Sequence, residues 1–156
     1  MDNFVYLSKE RLIELENELK DLKTNGRKEM AEMIAEARSH GDLSENAEYD
    51  AAKDKQGLLE LRISKLEELL SKARIIDTSQ FSKDKVHILA KVKVKNLNNK
   101  KEYQYMLVSP EEADSEKGKI SFTSPVGQSL MNKTIGDVTQ VKVPAGIVKY
   151  EILSID

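Results

Sequence analysis

Apolar and small residues recur at spacings of three and four along two stretches of the first half of the chain. The first stretch contains Leu12, Leu15, Leu19, Leu22 and Gly26, and the second contains Ala52, Leu59, Ile63, Leu66, Leu70 and Ala73, with Gln56 as a polar member. This spacing predicts two amphipathic helices, each with a heptad seam of the coiled-coil type.

The segment HGDLSEN, residues 40–46, separates the two helical patterns and predicts a turn. Gly41 can adopt a left-handed conformation, and Asp42 and Ser44 are favourable residues for starting a helix. If the chain folds back between Asp42 and Leu43, the numbers of facing seam residues add to 85 from the base of the hairpin upward. A constant sum indicates antiparallel pairing within one chain rather than a parallel homodimer.

The seam changes near the predicted turn. With an unbroken period Glu29 and Glu36 would face the second helix, whereas the apolar residues there are Met30, Ile34 and Ala37. We therefore expect the seam to slip by one residue at this end of the hairpin. A helix over about residues 8–39 predicts a hairpin roughly 45 to 50 Å long, since each residue adds about 1.5 Å.

Alternation with a period of two appears in the second half of the chain and predicts a half-buried antiparallel sheet. The expected strands are residues 88–94, with a basic outer face, then 103–107, 119–123, 138–143 and 147–155. Ser124 and Pro125 predict the start of one short helix over residues 125–131. The chain is therefore expected to be α+β, with a helical hairpin followed by a sheet that packs on one helix.

Composition and charge change near residue 77. Residues 1–77 hold 13 Lys and Arg against 18 Asp and Glu, a net charge of −5, whereas residues 78–156 hold 12 against 9, a net charge of +3. All three prolines lie in the second part. We predict two domains, 1–77 and 78–156, joined by a short connection near residues 75–85.

Several functional classes are excluded by composition. The 156 residues include no cysteine, which rules out disulfides and thiolate metal sites. The net charge of −2 argues against a protein that wraps duplex nucleic acid. We find no apolar run of signal or transmembrane length and expect a soluble, cytoplasmic protein with no membrane partner.

The predicted turn carries Asp42 and Glu45, two carboxylates three residues apart. This spacing suits a capping box at a helix start, and it also suits a pair of ligands for a hard metal ion. Spacing alone favours the cap. A cap does not explain why so long a hairpin should exist, so the tip is the candidate site.

Residues 35–77, AEARSHGDLSENAEYDAAKDKQGLLELRISKLEELLSKARIID, resemble the signature stretch of the Gre transcript cleavage factors, with the GreA type most similar. The resemblance extends to YLSKERLIELENELKDLK at the start and to SPVGQSLMNKTIGDVTQVKVPAGIVKYEILSI, residues 124–155. It implies an FKBP-like C-terminal domain and a role as a transcription elongation factor.

That resemblance also implies a division of labour. The hairpin enters the secondary channel of bacterial RNA polymerase, the C-terminal domain docks on the channel rim, and the polymerase itself cleaves the backtracked nascent RNA. Asp42 and Glu45 are implied to share the polymerase's second Mg²⁺, while Arg38 and Lys53 contact the RNA 3′ end. The factor is expected to be a monomer with no cofactor of its own and no enzymatic activity of its own.

Three other functions are considered. The main alternative is a Gre-fold protein that occupies the channel and modulates or inhibits polymerase without cleavage. A prolyl isomerase is disfavoured, since the second domain has few aromatic residues and no tryptophan for a proline pocket. A plain coiled-coil scaffold leaves the sequence of the tip unexplained.

Overall fold

The computed structural model describes residues 3–41 and 46–156, and these form two compact units. One unit is Glu10–Ala73 and the other combines the described residues up to Lys9 with Arg74–Asp156. The predicted domains, 1–77 and 78–156, differ from this division at both ends of the hairpin. The reason is that the first strand of the chain pairs with residues directly after the hairpin.

Helices build the hairpin unit. α1 (Lys9–Asp21) continues through a π-helical segment (Leu22–Gly26) into α2 (Arg27–Ser39), and the second arm is α3 (Ala47–Ser71). The buried residues of the hairpin unit are Leu15, Ile34, Ala37, Ala52, Ile63, Leu66 and Leu69. All but Leu69 belong to the predicted seam, so the heptad pattern identified the inward face of both arms.

Contacts between the arms confirm the antiparallel pairing. A methyl group added at Gly26 would lie 3.2 Å from Leu59 Cδ1, and this is one of the predicted layers. Ion pairs flank the seam, with Arg62 Nε 2.7 Å from a Glu18 oxygen and Arg27 Nη2 2.9 Å from a Glu60 oxygen. The hydrogen bond from Arg27 holds the pKa of Glu60 below its ordinary value.

The π-helical segment accounts for the slip of the seam. A π-helical turn contains one more residue than an α-helical turn, so the residues that follow it are shifted by one position on the helix face. At the end of the segment Gly26 faces Leu59, and their numbers add to 85, whereas beyond it the buried positions Ile34 and Ala52 add to 86. Ile34 and Ala37 are buried while Glu29 and Glu36 are exposed, as the slipped seam predicts.

A two-stranded sheet of β1 (Val5–Leu7) and β2 (Ala73–Ile75) was not predicted from the sequence. Each strand has only three residues, which is too short for a period of two to be recognised. Val5 and Leu7 are fully buried, and Tyr6 N donates a hydrogen bond of 2.9 Å to Ser109 Oγ. These contacts attach the start of the chain to the unit that contains residues 74–156.

The larger sheet has five strands in the order β5-β4-β3-β7-β6. Their bounds are β3 Lys91–Asn96, β4 Glu102–Val108, β5 Lys119–Ser121, β6 Val138–Val143 and β7 Gly146–Ile155. The predicted strand at 88–94 is shifted, because Leu89 has a φ of +67° and turns the chain before β3 begins. One face of the sheet carries the core, whose fully buried members include Val92, Val94, Leu107 and Ile152.

Pairing in this sheet is antiparallel except between β4 and β5, which are parallel, so the expected purely antiparallel sheet is mixed. Short 3-10 turns at Pro110–Glu112 and Ser115–Lys117 carry the chain back between these two strands. Helix α4 (Pro125–Leu130) follows, and Ser124 Oγ accepts a hydrogen bond from Gly127 N as predicted. The α+β class is confirmed.

Candidate functional site

The candidate site is the tip of the hairpin, between the end of α2 and the start of α3. Asp42 and Glu45 lie outside the described residues, so the structure defines the site through its flanks. On one side α2 ends at Ser39, and Gly41 has a φ of +125°, a conformation that favours glycine. On the other side α3 begins at Ala47.

The residue that caps α3 is Asn46, whereas Asp42 and Ser44, the helix starters suggested by the sequence, lie outside the described residues. Asn46 Oδ1 accepts a hydrogen bond of 3.1 Å from Tyr49 N, which satisfies one free N–H group of the first turn. Its Nδ2 donates to the carbonyl oxygen of Ala37 at the end of α2. One side chain therefore caps the second arm and ties it to the first.

This capping residue was missed because several good capping residues precede α3 in the sequence. The signal that could have found it is the position of Asn46 directly before a first helical turn that carries the acidic residues Glu48 and Asp50. Asn46 provides the N-cap of α3, and the roles of Asp42 and Glu45 as a capping box or as metal ligands stay predictions.

Arg38 and Lys53 are both exposed and lie on the flanks of the tip. The Arg38 guanidinium lies over the ring of Tyr49, 5.7 Å from its centre. Lys53 follows Tyr49 by four residues on α3 and so shares a helix face with it, and its Nζ donates to Gln56 Oε1 at 2.9 Å. The two cations thus flank one half-buried tyrosine, in an arrangement open to solvent.

His40 and Glu48 bridge the two arms just behind the tip, with Nδ1 and Oε2 3.4 Å apart. Both are exposed, so His40 has no enclosed environment that would make it a general base. Within residues 3–41 and 46–156, no three or more histidine and acidic side chains come together in a way that could hold a metal. The described residues on either side of the tip therefore do not form a metal site of their own without Asp42 and Glu45.

A shallow groove of about 290 Å³ runs between the arms behind the tip. It is lined by Met33, Glu36, Ala37, Glu48, Ala51, Ala52 and Lys55. Its walls are mostly small or charged and include no aromatic ring, which is unlike the enclosed apolar pockets that hold small molecules.

Aromatic residues in the other unit pack on one another. Tyr103 and Tyr105 stack with ring centres 6.1 Å apart, and Tyr105 meets Tyr150 edge-on at 6.5 Å. Burial raises the pKa of Tyr105 to about 12. These rings pack against the core of the sheet, which gives no support to the isomerase alternative. No helix in the described part of the chain is long and apolar enough to cross a membrane.

Comparison with known families covers nearly the whole chain. Residues 5–75 match the family described as "Transcription elongation factor, N-terminal", and residues 81–156 match "Transcription elongation factor, GreA/GreB, C-term". These ranges place the hairpin and its two short flanking strands in the first match and the five-stranded sheet in the second.

Individual relatives agree with the family. "Transcription elongation factor GreA" of Chloroherpeton thalassium is 52% identical over 155 residues, covering 99% of this chain and 98% of the relative. The protein of the same name from Chlorobium phaeobacteroides is 53% identical over 157 residues, with the same coverage. Among solved structures, "Structure of the transcription factor Gfh1" is 25% identical with a TM-score of 0.49 and covers 99% of both chains. The chain belongs to the GreA/GreB family of transcription elongation factors.

Proposed function

We propose that this chain is an accessory factor that stimulates RNA polymerase to cleave backtracked nascent RNA. The observation that carries the proposal is a helical hairpin whose turn contains Asp42 and Glu45, in a chain that matches both GreA/GreB domains. Relatives at half identity over 98% of their length bear the name of the elongation factor GreA. The partner is accordingly RNA polymerase, entered through its secondary channel.

The donor set suits magnesium. Two carboxylates supply hard oxygen ligands, and Mg²⁺ in phosphoryl chemistry is usually held by one or two carboxylates together with phosphate oxygens and water. When bound, such an ion stabilises charge on the reacting oxygens of a phosphodiester. Asp42 and Glu45 would provide its protein ligands from the hairpin and would orient the attacking water by hydrogen bonds.

The flanks of the tip have their own tasks in this proposal. Asn46 links the end of α2 to the start of α3 and so holds together the two ends of the segment that contains the carboxylates. Arg38 and Lys53, on either side of Tyr49, offer two cations and an aromatic ring to the RNA 3′ end. Because both arms belong to one chain, the hairpin is complete in a monomer.

A second candidate is a family member that occupies the channel and modulates polymerase without cleavage. The two candidates share the hairpin and the docking domain and differ in whether the tip carboxylates act. The retention of both Asp42 and Glu45 favours the cleaving factor.

The test uses a backtracked elongation complex and two variants, Asp42→Asn and Glu45→Gln. Each removes one carboxylate charge while keeping the size of the side chain, so the hairpin should fold and compete for polymerase as the parent does. Stimulated cleavage should fall by at least about tenfold, and the loss should shrink as Mg²⁺ is raised, since mass action partly fills a weakened site. The matched control is Asp54→Asn, the same change at an exposed position further along α3, which should cleave like the parent.

Two results would overturn the proposal. Full cleavage by Asp42→Asn at low Mg²⁺ would show that the carboxylate is not needed. Inhibition of the polymerase by the parent protein, without shortened and extendable transcripts, would favour the modulator. RNA incubated with the factor but without polymerase should remain intact, because an open pair of carboxylates does not by itself make a site that retains Mg²⁺.

A further inference from the structure

The outer face of the five-stranded sheet is covered with lysines. On β3, Lys91 and Lys93 are exposed and Lys95 is half-buried, while the alternate residues Val92 and Val94 are buried in the core. Successive outward residues on a strand are roughly 6.6 Å apart, so these three ammonium groups form a row about 13 Å long.

Strand register adds further lysines to the same face. Lys91 lies opposite Met106 on β4, which lies opposite Lys119 on β5, and directly opposite residues share a face of a sheet. Lys95 lies opposite Glu151 on β7, and Lys149 is two residues before Glu151. Lys142 on β6 lies opposite Ile147, which is two residues before Lys149 and shares its face. We define the basic face as six residues: Lys91, Lys93, Lys95, Lys119, Lys142 and Lys149.

Four carboxylates share this face with the six lysines. Register places Glu102, Glu151 and Asp156 there, and Asp114 lies directly opposite Lys119. Of these six lysines, only Lys93 has a carboxylate oxygen of a described residue within salt-bridge distance. Its Nζ lies 3.2 Å from Glu102 Oε1. The face therefore keeps a net side-chain charge of about +2, in a chain whose overall net charge is −2.

The chemistry of the basic face favours phosphate over protein. Protein interfaces are enriched in aromatic residues and arginine at their centres and are depleted in lysine. Within the described sheet, the outward residues include no aromatic ring and no arginine. Lysine instead binds phosphate oxygens as a mobile point charge without strict geometry. Without aromatic rings the face offers no platform for stacking bases.

We propose that the basic face binds the phosphodiester backbone of a single nucleic-acid strand, independently of base sequence. The row on β3 forms the centre of the site, and Lys119 and Lys149 extend it to either side. This site is separate from the tip residues Arg38 and Lys53, and it needs neither carboxylate of the tip.

Binding is tested on the full-length protein without polymerase, by fluorescence anisotropy of a short labelled single-stranded RNA over a range of salt concentrations. The test variant carries Lys91→Gln, Lys93→Gln and Lys95→Gln. The control variant carries Lys83→Gln, Lys85→Gln and Lys133→Gln, which remove the same charge at exposed positions outside the five strands.

The expected result is at least about tenfold weaker binding by the test variant at low salt, with the control within about twofold of the parent. The slope of the logarithm of affinity against the logarithm of salt concentration should fall by about 2 when three phosphate contacts are lost. Single-stranded DNA of the same sequence should bind similarly. Cleavage stimulation of the test variant is measured separately, so failure of one proposal is distinguishable from failure of the other.

Three outcomes would overturn the inference. The first is no RNA binding by the parent at low salt. The second is an equal loss in both variants, which would indicate net charge rather than a site. The third is displacement of RNA by polyglutamate at a lower concentration of charge than by unlabelled RNA, which would assign the face to an acidic protein surface.

Discussion

Replacing Asn46 by alanine should detach the two arms of the hairpin at its tip. The variant loses the acceptor for Tyr49 N, and a lost N-cap typically costs about 1 kcal/mol. It also loses the donor to the carbonyl oxygen of Ala37, a half-buried hydrogen bond worth about another 1 kcal/mol. The hairpin should therefore be destabilised by about 2 kcal/mol.

Thermal unfolding followed by circular dichroism at the helical band measures this effect. For a unit of this size 1 kcal/mol lowers the melting temperature by roughly 4 to 8 °C, so the shift should be roughly 8 to 16 °C. Asn46→Asp keeps the acceptor and loses only the amide donor, and it should fall between the parent and Asn46→Ala. Asn17→Ala, at an exposed position within α1, is the matched control and should not lower the melting temperature.

The stimulation of RNA cleavage should also fall when Asn46→Ala removes the cap of α3, although Asp42 and Glu45 are unchanged. The physical reason is that, in the proposed function, Asp42 and Glu45 act from the segment whose two ends Asn46 joins. If Asn46→Ala melts within about 2 °C of the parent, the assignment of the cap and of the link to Ala37 is wrong. If it melts early but cleaves normally at a temperature where it is folded, the restriction of the tip has no functional role.

Three other predictions concern the second unit and one exposed glycine. Gly127→Ala should destabilise the sheet unit by about 3 kcal/mol, because the new methyl group would lie 2.1 Å from the carbonyl oxygen of Ser121. In the middle of α3, a methyl group added at Gly57 would have no atom within 4 Å, so Gly57→Ala should stabilise the hairpin by roughly 0.5 to 1 kcal/mol. Chemical denaturation measures the stability of both variants. A loss of stability in Gly57→Ala would contradict the open space around this position. The pKa of Tyr105 is raised to about 12, mainly by burial, so its contribution to stability should be complete below the unfolded pKa of about 10 and should be lost as the pH rises toward about 12. The free energy of unfolding of the parent should therefore fall more steeply over that pH range than that of Tyr105→Phe. Parallel curves of unfolding free energy against pH would refute this prediction.

Most of the hairpin could be predicted from the sequence, because heptad spacing is set by the same inward face that the structure buries. Even the slip at Met30, Ile34 and Ala37 was visible, although its cause, the π-helical segment, was not. Such a segment inserts a residue without a sequence pattern of its own. The short strands β1 and β2 were invisible for a related reason, since three residues carry no measurable period.

In the sheet, alternation identified β4, β6 and β7 closely, because one face of each is buried and the other is exposed. It placed the start of β3 three residues early, since Ile88 and Ala90 continue the alternation while Leu89 turns the backbone. The parallel pairing of β4 and β5 depends on the path of the connection between them, which hydrophobicity does not encode. At the tip, the sequence did not identify Asn46 as the cap of α3, and Asp42 and Glu45 lie outside the described residues.

The pairing of β1 with β2 makes the hairpin an insertion between two strands of one small sheet. The length of the hairpin is then set by the number of residues in each arm, and the two numbers must change together. Seven residues removed from each arm would shorten the hairpin by about 10 Å while keeping every remaining layer matched. A change in one arm alone would shift all the facing pairs. The length of the hairpin can thus change in steps of whole heptads without any change in the sheet.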